Sequence, residues 1–467
     1  MKKTITLAAA ITLMVVAAAN SASAGNSWSF VMLGDTRGEN DTDTGISTNL
    51  NIMAQKIASL NPRPQLVIVA GDLCNGNCLN TGSTNYPPDT NFNSAAMKAV
   101  YAKFFSNWKT AMQPVYDYTT SNGIPIYPVR GNHESNDTGQ APIEKLKEAY
   151  YEAFSSYVPA NGTNNGPTDD ERGFSWSLTT NNVTFVAADQ YFNFDPASTN
   201  TPWSGYHYLN QAWVTQQLVQ STSPYKILIA HEPIFQTDGN GPGEEAVDED
   251  AQHFFGTNSV ALQTRSIFWN DIGDAGAQIY FCGHLHLESV ASTTNDHGHT
   301  IIHLLGGNGG APPQNFIPGG VEPGVTLLYN NGNTLLTNGS IQANFGFVLA
   351  TVTEEKMTMQ YYSLNPANNL WTVADYVTEI ASARARPNIS LPFDPRAGTF
   401  SYTRSDPAGT GLSYRIYTAP DLGTWSEDAA AAQTVTATTN NLQTVQVTLS
   451  GTKPLTAPKL FIRIVAQ

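Results

Sequence analysis

Six residues able to bind metal stand just beyond short apolar runs: Asp35, Asp72, Asn132, His231, His284 and His286. They offer carboxylate and amide oxygens together with imidazole nitrogens, a mixed donor set suited to Zn, Fe, Mn or Co. His284 and His286 flank Leu285, and alternate side chains of an extended segment share a face, so both imidazoles can turn toward one place. Singly, each residue has an ordinary structural reading: Asp35 and Asp72 as turn or helix-capping residues, Asn132 as a turn residue, His231 as a packed core histidine. No serine or cysteine elbow competes with them as a nucleophile.

The elements that must position them follow one grammar. Trp28 to Leu33 runs into Gly34-Asp35, Leu66 to Ala70 into Gly71-Asp72, and Ile124 to Val129 into Arg130-Gly131-Asn132-His133. Val183 to Ala188 runs into Asp189, Lys226 to Ala230 into His231-Glu232-Pro233, and Ala277 to Cys282 into Gly283-His284-Leu285-His286. Buried strands that deliver loops at their carboxyl ends give this pattern. Helical periodicity fills the intervals at Thr48 to Leu60, Ser94 to Ser121, Ile143 to Phe154 and Tyr208 to Gln220, so the class is α/β. Turn punctuation accounts for any one Gly-Asp pair but not for the succession.

After His286, Thr300 to Leu305 leads into Gly306 to Gly310 and then a Gly/Asn/Pro-rich stretch to about Gln342, read as a surface excursion. Phe345 to Thr353 and Lys356 to Ser363 read as a hairpin turning at Glu354-Glu355, with Trp371 to Val377 as a third strand. A linker is expected over Ala381 to Pro387, followed by a small all-β unit, a β-sandwich module over 388–467, with strands at Thr399 to Thr403, Leu412 to Tyr417, Thr434 to Ala437, Thr444 to Leu449 and Lys459 to Val465. This unit loosely resembles C-terminal β-modules of exported bacterial proteins.

Lys2 and Lys3, an apolar run from Ile5 to Ala19 and the small residues Ala22-Ser23-Ala24 predict a secretory signal over 1–24. The chain of 467 residues carries 23 Lys and Arg against 38 Asp and Glu, a formal charge of −15; loss of the two lysines takes it to −17. Such a balance speaks against nucleic acid or an anionic membrane surface as a bulk partner, and no later run is long enough to span a bilayer. In a periplasmic or extracellular setting, Cys74 and Cys78, four apart in a Gly/Asn-rich loop, are disulfide candidates, with two thiols as the other reading. Cys282 reads as a buried strand thiol.

In combination, Gly34-Asp35-Thr36-Arg37, Gly71-Asp72, Gly131-Asn132-His133-Glu134, Ala230-His231-Glu232-Pro233 and Gly283-His284-Leu285-His286 resemble, in order and spacing, the motifs of the calcineurin-like metallophosphoesterases, which include purple acid phosphatases. The resemblance covers about Ser27 to Val377 and implies a four-layer α/β/β/α sandwich over 25–380. It implies two divalent or trivalent transition metal ions (Fe, Zn or Mn) bridged by Asp72, with Asn132, His231 and His284 completing one site and Asp35 and His286 in the other. It further implies attack of a metal-bound hydroxide on phosphorus, and a phosphate-facing His133 able to protonate the leaving group.

The first motif departs from the family: Arg37 stands where many members have histidine, and arginine, always protonated, cannot ligate a metal. The tyrosine that purple acid phosphatases supply from the second motif is here Asn75, a possible weak ligand. One metal position is therefore expected to be a ligand short. Arg37 reads either as a phosphate-holding guanidinium or as a solvated loop residue. The expectation is an exported enzyme acting on a small phosphorylated substrate, with phosphomonoesters ahead of phosphodiesters or nucleotides, and with Arg37, His133 and Arg130 as candidate phosphate contacts. A binding protein on the same scaffold, with the β-module making the contacts, is the alternative of another class. Asp189 is expected to support loop architecture, His303 to be packed in the core, and His297 and His299 to lie in a surface turn; His207 and His253 have no assigned place.

Overall fold

The computed structural model describes residues 27–37, 47–74, 76, 91–135, 143–159, 171–192, 210–235, 237, 259–311, 314, 321–331, 344–365, 367–382, 388–394, 398–405, 413–419, 426–439, 442–451 and 461–466. The expected export signal, Asn75, Cys78, His207, His253 and positions 383–387 of the expected linker lie outside these residues.

Among the described residues, two large sheets carry the motifs. One runs Leu370–Ala381, Lys356–Asn365, Phe345–Val352, Trp28–Leu33, Val67–Ala70, Ile126–Val129. The other runs Val325–Asn330, Glu288–Thr294, Thr300–Gly306, Ile279–Cys282, Tyr225–Ile229, Val183–Ala187, Trp176–Thr180. The motif-bearing strands pair in parallel, Leu33 opposite Val69 and Ala70 opposite Val129 in the first sheet, Ile229 opposite Phe281 in the second. Parallel register puts their carboxyl ends, and hence the motif loops, along one edge of each sheet.

Trp28–Leu33, Val67–Ala70, Val183–Ala187 and Ile279–Cys282 are buried at every position, as strands covered on both faces must be. Alternate side chains serve different neighbours. Val31, Leu33, Val67 and Val69 pack against helices Thr48–Ala58, Ala95–Ala111 and Glu144–Phe154. Phe30, Met32, Ile68 and Ala70 share a cluster with Phe185, Ile227, Ile229 and Phe281 of the second sheet, Phe30 meeting Phe185 edge-on at 5.0 Å. Val186, Leu228, Tyr280 and Cys282 meet helices Gln211–Gln220 and Ser259–Asp274 through Trp213, Leu218, Phe268 and Trp269.

The expected helix from Ser94 to Ser121 stops at Ala111, because Pro114 disfavours helical backbone at Gln113 and cannot donate. The stretch read as a surface excursion contains a strand, Val325–Asn330, which pairs with Glu288–Thr294. Helix Ser259–Asp274 carried no clear periodicity: Ile267 is exposed while Phe268, Trp269 and Ile272 are buried. The C-terminal region is strand-rich, with sheets Asn388–Asp394, Thr399–Ser405, Leu442–Thr448, Ala432–Thr439 and Ser426–Glu427, Tyr414–Ala419, Phe461–Ala466. Phe400, Tyr402, Val445 and Val447 of one cluster with Tyr414 and Ile416 of the other. Among the described residues, no helix is long and apolar enough to cross a membrane.

Candidate metal centre

Each strand ends in a sharp turn that lifts a polar side chain over the sheet edge. Asp35, Asp72 and His284 have φ of 54°, 53° and 77°, left-handed backbone that costs about 1–3 kcal/mol at a residue other than glycine. A few buried core side chains, at roughly 1.5–3 kcal/mol each, offset that strain. The glycine before Asp72 is obligatory: Gly71 has φ 83°, and a Cβ there would lie 2.4 Å from His231 Nδ1 and 2.8 Å from the Gly131 backbone.

Four donor atoms converge. His231 Nε2 lies 3.0 Å from Asn132 Oδ1, 3.3 Å from Asp72 Oδ1 and 3.4 Å from His284 Nδ1, which is itself 3.3 Å from Asn132 Oδ1. Ligands about 2.1 Å from one ion sit roughly 3.0–3.4 Å apart at the corners of an octahedron or tetrahedron. The tautomer decides what these contacts mean. His231 Nδ1 lies 2.7 Å from the Ala70 carbonyl, an acceptor only, so Nδ1 carries the proton and Nε2 presents its lone pair to the oxygens of Asn132 and Asp72. Burial keeps the His231 ring below its ordinary pKa and so favours its neutral form, the form a metal ligand requires. A lone pair facing two acceptor oxygens is repelled by them unless a cation stands among them, so the arrangement can hold a metal ion. Asp35 joins them: its donor atom lies within 4.8 Å of those of Asp72 and His231, and among the described residues its buried Oδ1 has no hydrogen-bond partner. Burial and then the Asp72 charge push the Asp35 carboxyl well above the usual carboxylate range. Burial would also raise Asp72, but His133, His231, Arg37 and His284 outweigh it and hold that carboxyl well down.

The other side of the centre differs. Asp72 Oδ2 faces Arg37 Nε at 3.6 Å and His133 Nε2 at 3.6 Å. Arg37 Nη2 lies 3.1 Å from His286 Nε2, while Asp35 Oδ1 is 3.7 Å from the same nitrogen. The guanidinium, 13% exposed, thus stands between Asp72 and His286 and is not a solvated loop residue.

The calcineurin-like phosphoesterase family model matches residues 30–288, a span that holds every one of these side chains. The chain belongs to the calcineurin-like phosphoesterase family. The family implies a metal-dependent phosphoesterase chemistry, a dinuclear metal centre and a small phosphorylated substrate. No curated protein sequence matches the chain. Among solved structures it is similar to a purple acid phosphatase from yellow lupin (Lupinus luteus) seeds, at 16% identity over 76% of this chain and 54% of that one, with a TM-score of 0.49. It is also similar to PhoD, at 12% identity over 76% and 72%, with a TM-score of 0.45. The chain spans about half the length of the lupin protein.

Around the centre of this phosphoesterase lie residues whose part no spacing rule disclosed. Glu134 is fully buried and accepts four backbone N–H groups: Leu73 and Cys74 on Oε1 at 2.7 and 2.9 Å, Asp72 and Gly131 on Oε2 at 3.0 and 2.8 Å. Burial and Asp72 push its carboxyl up to about 8 against the pull of these amides. Each oxygen already takes two donors, so the geometry accommodates the ionised form. Gln190 Oε1 accepts from the His231 and Glu232 amides, both at 2.7 Å, and Gln314 brackets His286, its Oε1 taking the His286 N–H at 2.7 Å and its own N–H reaching the His286 carbonyl at 3.1 Å. The Gly306–Gly310 turn bonds back to the first motif, Gly34 N–H to Gly306 O and Gly309 N–H to Gly34 O.

His133 sits beside the centre; burial lowers it to about 3 against the pull of Asp72, so its ring is neutral, and its buried Nδ1 has no hydrogen-bond partner among the described residues. Arg130, expected as a phosphate contact, is instead buried against Asp189 Oδ2 at 2.7 Å and stacked 4.6 Å from the Phe174 ring centre. Asp189 also accepts the Tyr191 N–H at 2.8 Å, tying two loops together. His303 is fully buried, stacked on Tyr280 at 5.5 Å, and accepts the Ile234 N–H at 3.2 Å. His297 is exposed and His299 half-buried, and both pair with Asp274. Cys74 and Cys282 are both buried, and the Cys78 partner proposed for Cys74 lies outside the described residues.

Proposed function

We propose that this chain hydrolyses phosphomonoesters, with Asp72, Asn132, His231 and His284 as metal ligands, Asp35 and His286 beside them, and His133 and Arg37 acting on the substrate. The observation that carries this reading is the His231 nitrogen, whose lone pair is fixed by the Ala70 carbonyl and aimed at the oxygens of Asn132 and Asp72. A transition metal ion held there, Fe, Zn or Mn by its donor set, would supply Lewis-acid activation of water and of the phosphoryl oxygen. Arg37, cationic at any relevant pH, would hold a phosphate oxygen, and the neutral His133 ring would direct its one N–H to the leaving-group oxygen.

One observation favours phosphodiesters as a second reading. A dianionic monoester calls for more cationic contacts than a diester, and Arg130, one of the expected three, is committed to Asp189. Initial rates on p-nitrophenyl phosphate and bis-p-nitrophenyl phosphate, with Mn, Zn, Fe or Co added in turn, decide between them. No turnover of either ester with any of these metals would sink both readings in favour of a non-catalytic surface binding protein. We further infer export directed by residues 1–24 to the periplasm or beyond, a phosphoesterase unit over 25–380, and a C-terminal β-module over 388–467 that either contacts the cell surface or packs on the enzyme unit. The three apolar clusters, helices to sheet, sheet to sheet and sheet to helices, support a four-layer α/β/β/α stacking. Asn75 keeps its place as a possible weak ligand, and Cys74 with Cys78 as a disulfide candidate.

A further inference from the structure

The residues of this chain fit one ion of the implied metal pair and not the other. On one side of Asp72, the donor atoms of His231, Asn132 and His284 stand at the spacing of a coordination sphere, and the His231 Nε2 lone pair faces the oxygens of Asn132 and Asp72. On the other side, what remains for a second ion among the described residues is Asp72 Oδ2 and His286 Nε2, with Asp35 Oδ1 3.7 Å from the latter. The guanidinium of Arg37 stands among these atoms: Nη2 donates to His286 Nε2 at 3.1 Å and Nε faces Asp72 Oδ2 at ion-pair distance, 3.6 Å. A histidine nitrogen that accepts from a guanidinium has spent the lone pair it would give a metal. A divalent ion next to a fixed, largely buried cation would meet repulsion that a water-filled position would not impose.

The placement of Arg37 is built rather than incidental. Its backbone N–H donates to the Asp72 carbonyl at 2.9 Å, so the arginine and the central aspartate are held in one register. The Trp108 indole N–H bonds Thr36 Oγ1 at 2.8 Å and fixes the preceding residue. Gly309 and Gly310 pack against Thr36 and Arg37 so closely that a Cβ on Gly309 would lie 2.9 Å from Thr36 Cγ2. In charge terms, one divalent ion with one guanidinium offsets the buried carboxylates of Asp35 and Asp72.

We propose that Arg37 is the built-in second cation of this centre: the chain binds one transition metal ion at Asp72, Asn132, His231 and His284, and the guanidinium stands in the place of the family's other ion. This rests on the metal-centre reading above. The test is metal stoichiometry of the full chain, stripped with chelator and reloaded with Mn(II), measured by elemental analysis after desalting and by electron paramagnetic resonance. The expected result is one equivalent for the wild type, with the spectrum of an isolated Mn(II) ion. His286→Ala should also hold one equivalent, and Arg37→His two, with the spectrum of an exchange-coupled pair. Two equivalents in the wild type falling to one in His286→Ala would overturn the proposal, and so would a folded Arg37→His that stays at one. Arg37→Ala, which opens the same position with a smaller side chain, serves if Arg37→His fails to fold, and must then take up ion beyond one equivalent at raised Mn(II). A wild type that binds none would instead refute the metal centre itself.

Discussion

Glu134→Gln tests whether the centre is held by its carboxylate clamp. The side chain joins the second and third motifs by accepting four backbone N–H groups, two on each oxygen, at 2.7–3.0 Å. Glutamine keeps the shape but turns one oxygen into an NH2 group that faces two N–H donors. Two charge-assisted bonds are lost, at about 1.5–3 kcal/mol each, for a total near 4 kcal/mol. At roughly 2.1 cal/mol/K of unfolding entropy per residue, a unit of about 350 residues loses approximately 1.4 °C per kcal/mol, so Tm of the chelator-treated protein should fall by about 5 °C. Because the same amides set the position of Asp72, metal affinity should weaken by roughly 10–100-fold, the usual effect of removing a group that orients a ligand. Differential scanning calorimetry and a metal titration read the two effects. A Glu134→Gln protein within about 1 °C of wild type and with unchanged metal affinity would refute the clamp.

His231→Ala and Asp72→Ala should each lose both bound metal and ester hydrolysis while keeping the fold; turnover retained in either would exclude them as ligands. Arg37→Ala should raise KM for the phosphate ester and lower kcat/KM by roughly 10–100-fold, the value of one charge-assisted contact, and an unchanged KM would remove Arg37 from substrate binding. The buried His303, held near 3 in the fold, takes up its proton in the unfolded chain near 6.5. Its effect on stability is therefore nil above about pH 6.5 and grows unfavourable by roughly 1.4 kcal/mol per pH unit as pH falls toward 3. His303→Phe should flatten the acid side of the Tm–pH curve, and an identical acid slope in the two proteins would contradict this.

Much of the architecture was legible because it rests on local rules. Runs such as Val67–Ala70 and Ile279–Cys282 announce themselves by unbroken apolarity, and each is followed by the residue it delivers. The boundaries that went astray have local causes: Pro114 ending a helix early, and the scattered apolar residues of Ser259–Asp274 masking another. Glu134, Gln190 and Gln314 were illegible in their roles because each acts on backbone amides brought close only by folding. A side chain that bonds amides carries no spacing signature of its own.

Residue types and order, through the family resemblance they carry, set Asp35, Asp72, Asn132, His231, His284 and His286 apart as candidate donors and Arg37 as the departure from the pattern. Only the tertiary structure decided what the break does. Whether an arginine points to solvent or between two would-be ligands depends on where its neighbours across the sheet edge stand, and those are His286, 249 residues away, and the Oδ2 face of Asp72. The same holds for Arg130, a candidate cation in sequence that the fold buries against Asp189, since a charge taken out of water must be paired and the only place to pair it is set by packing.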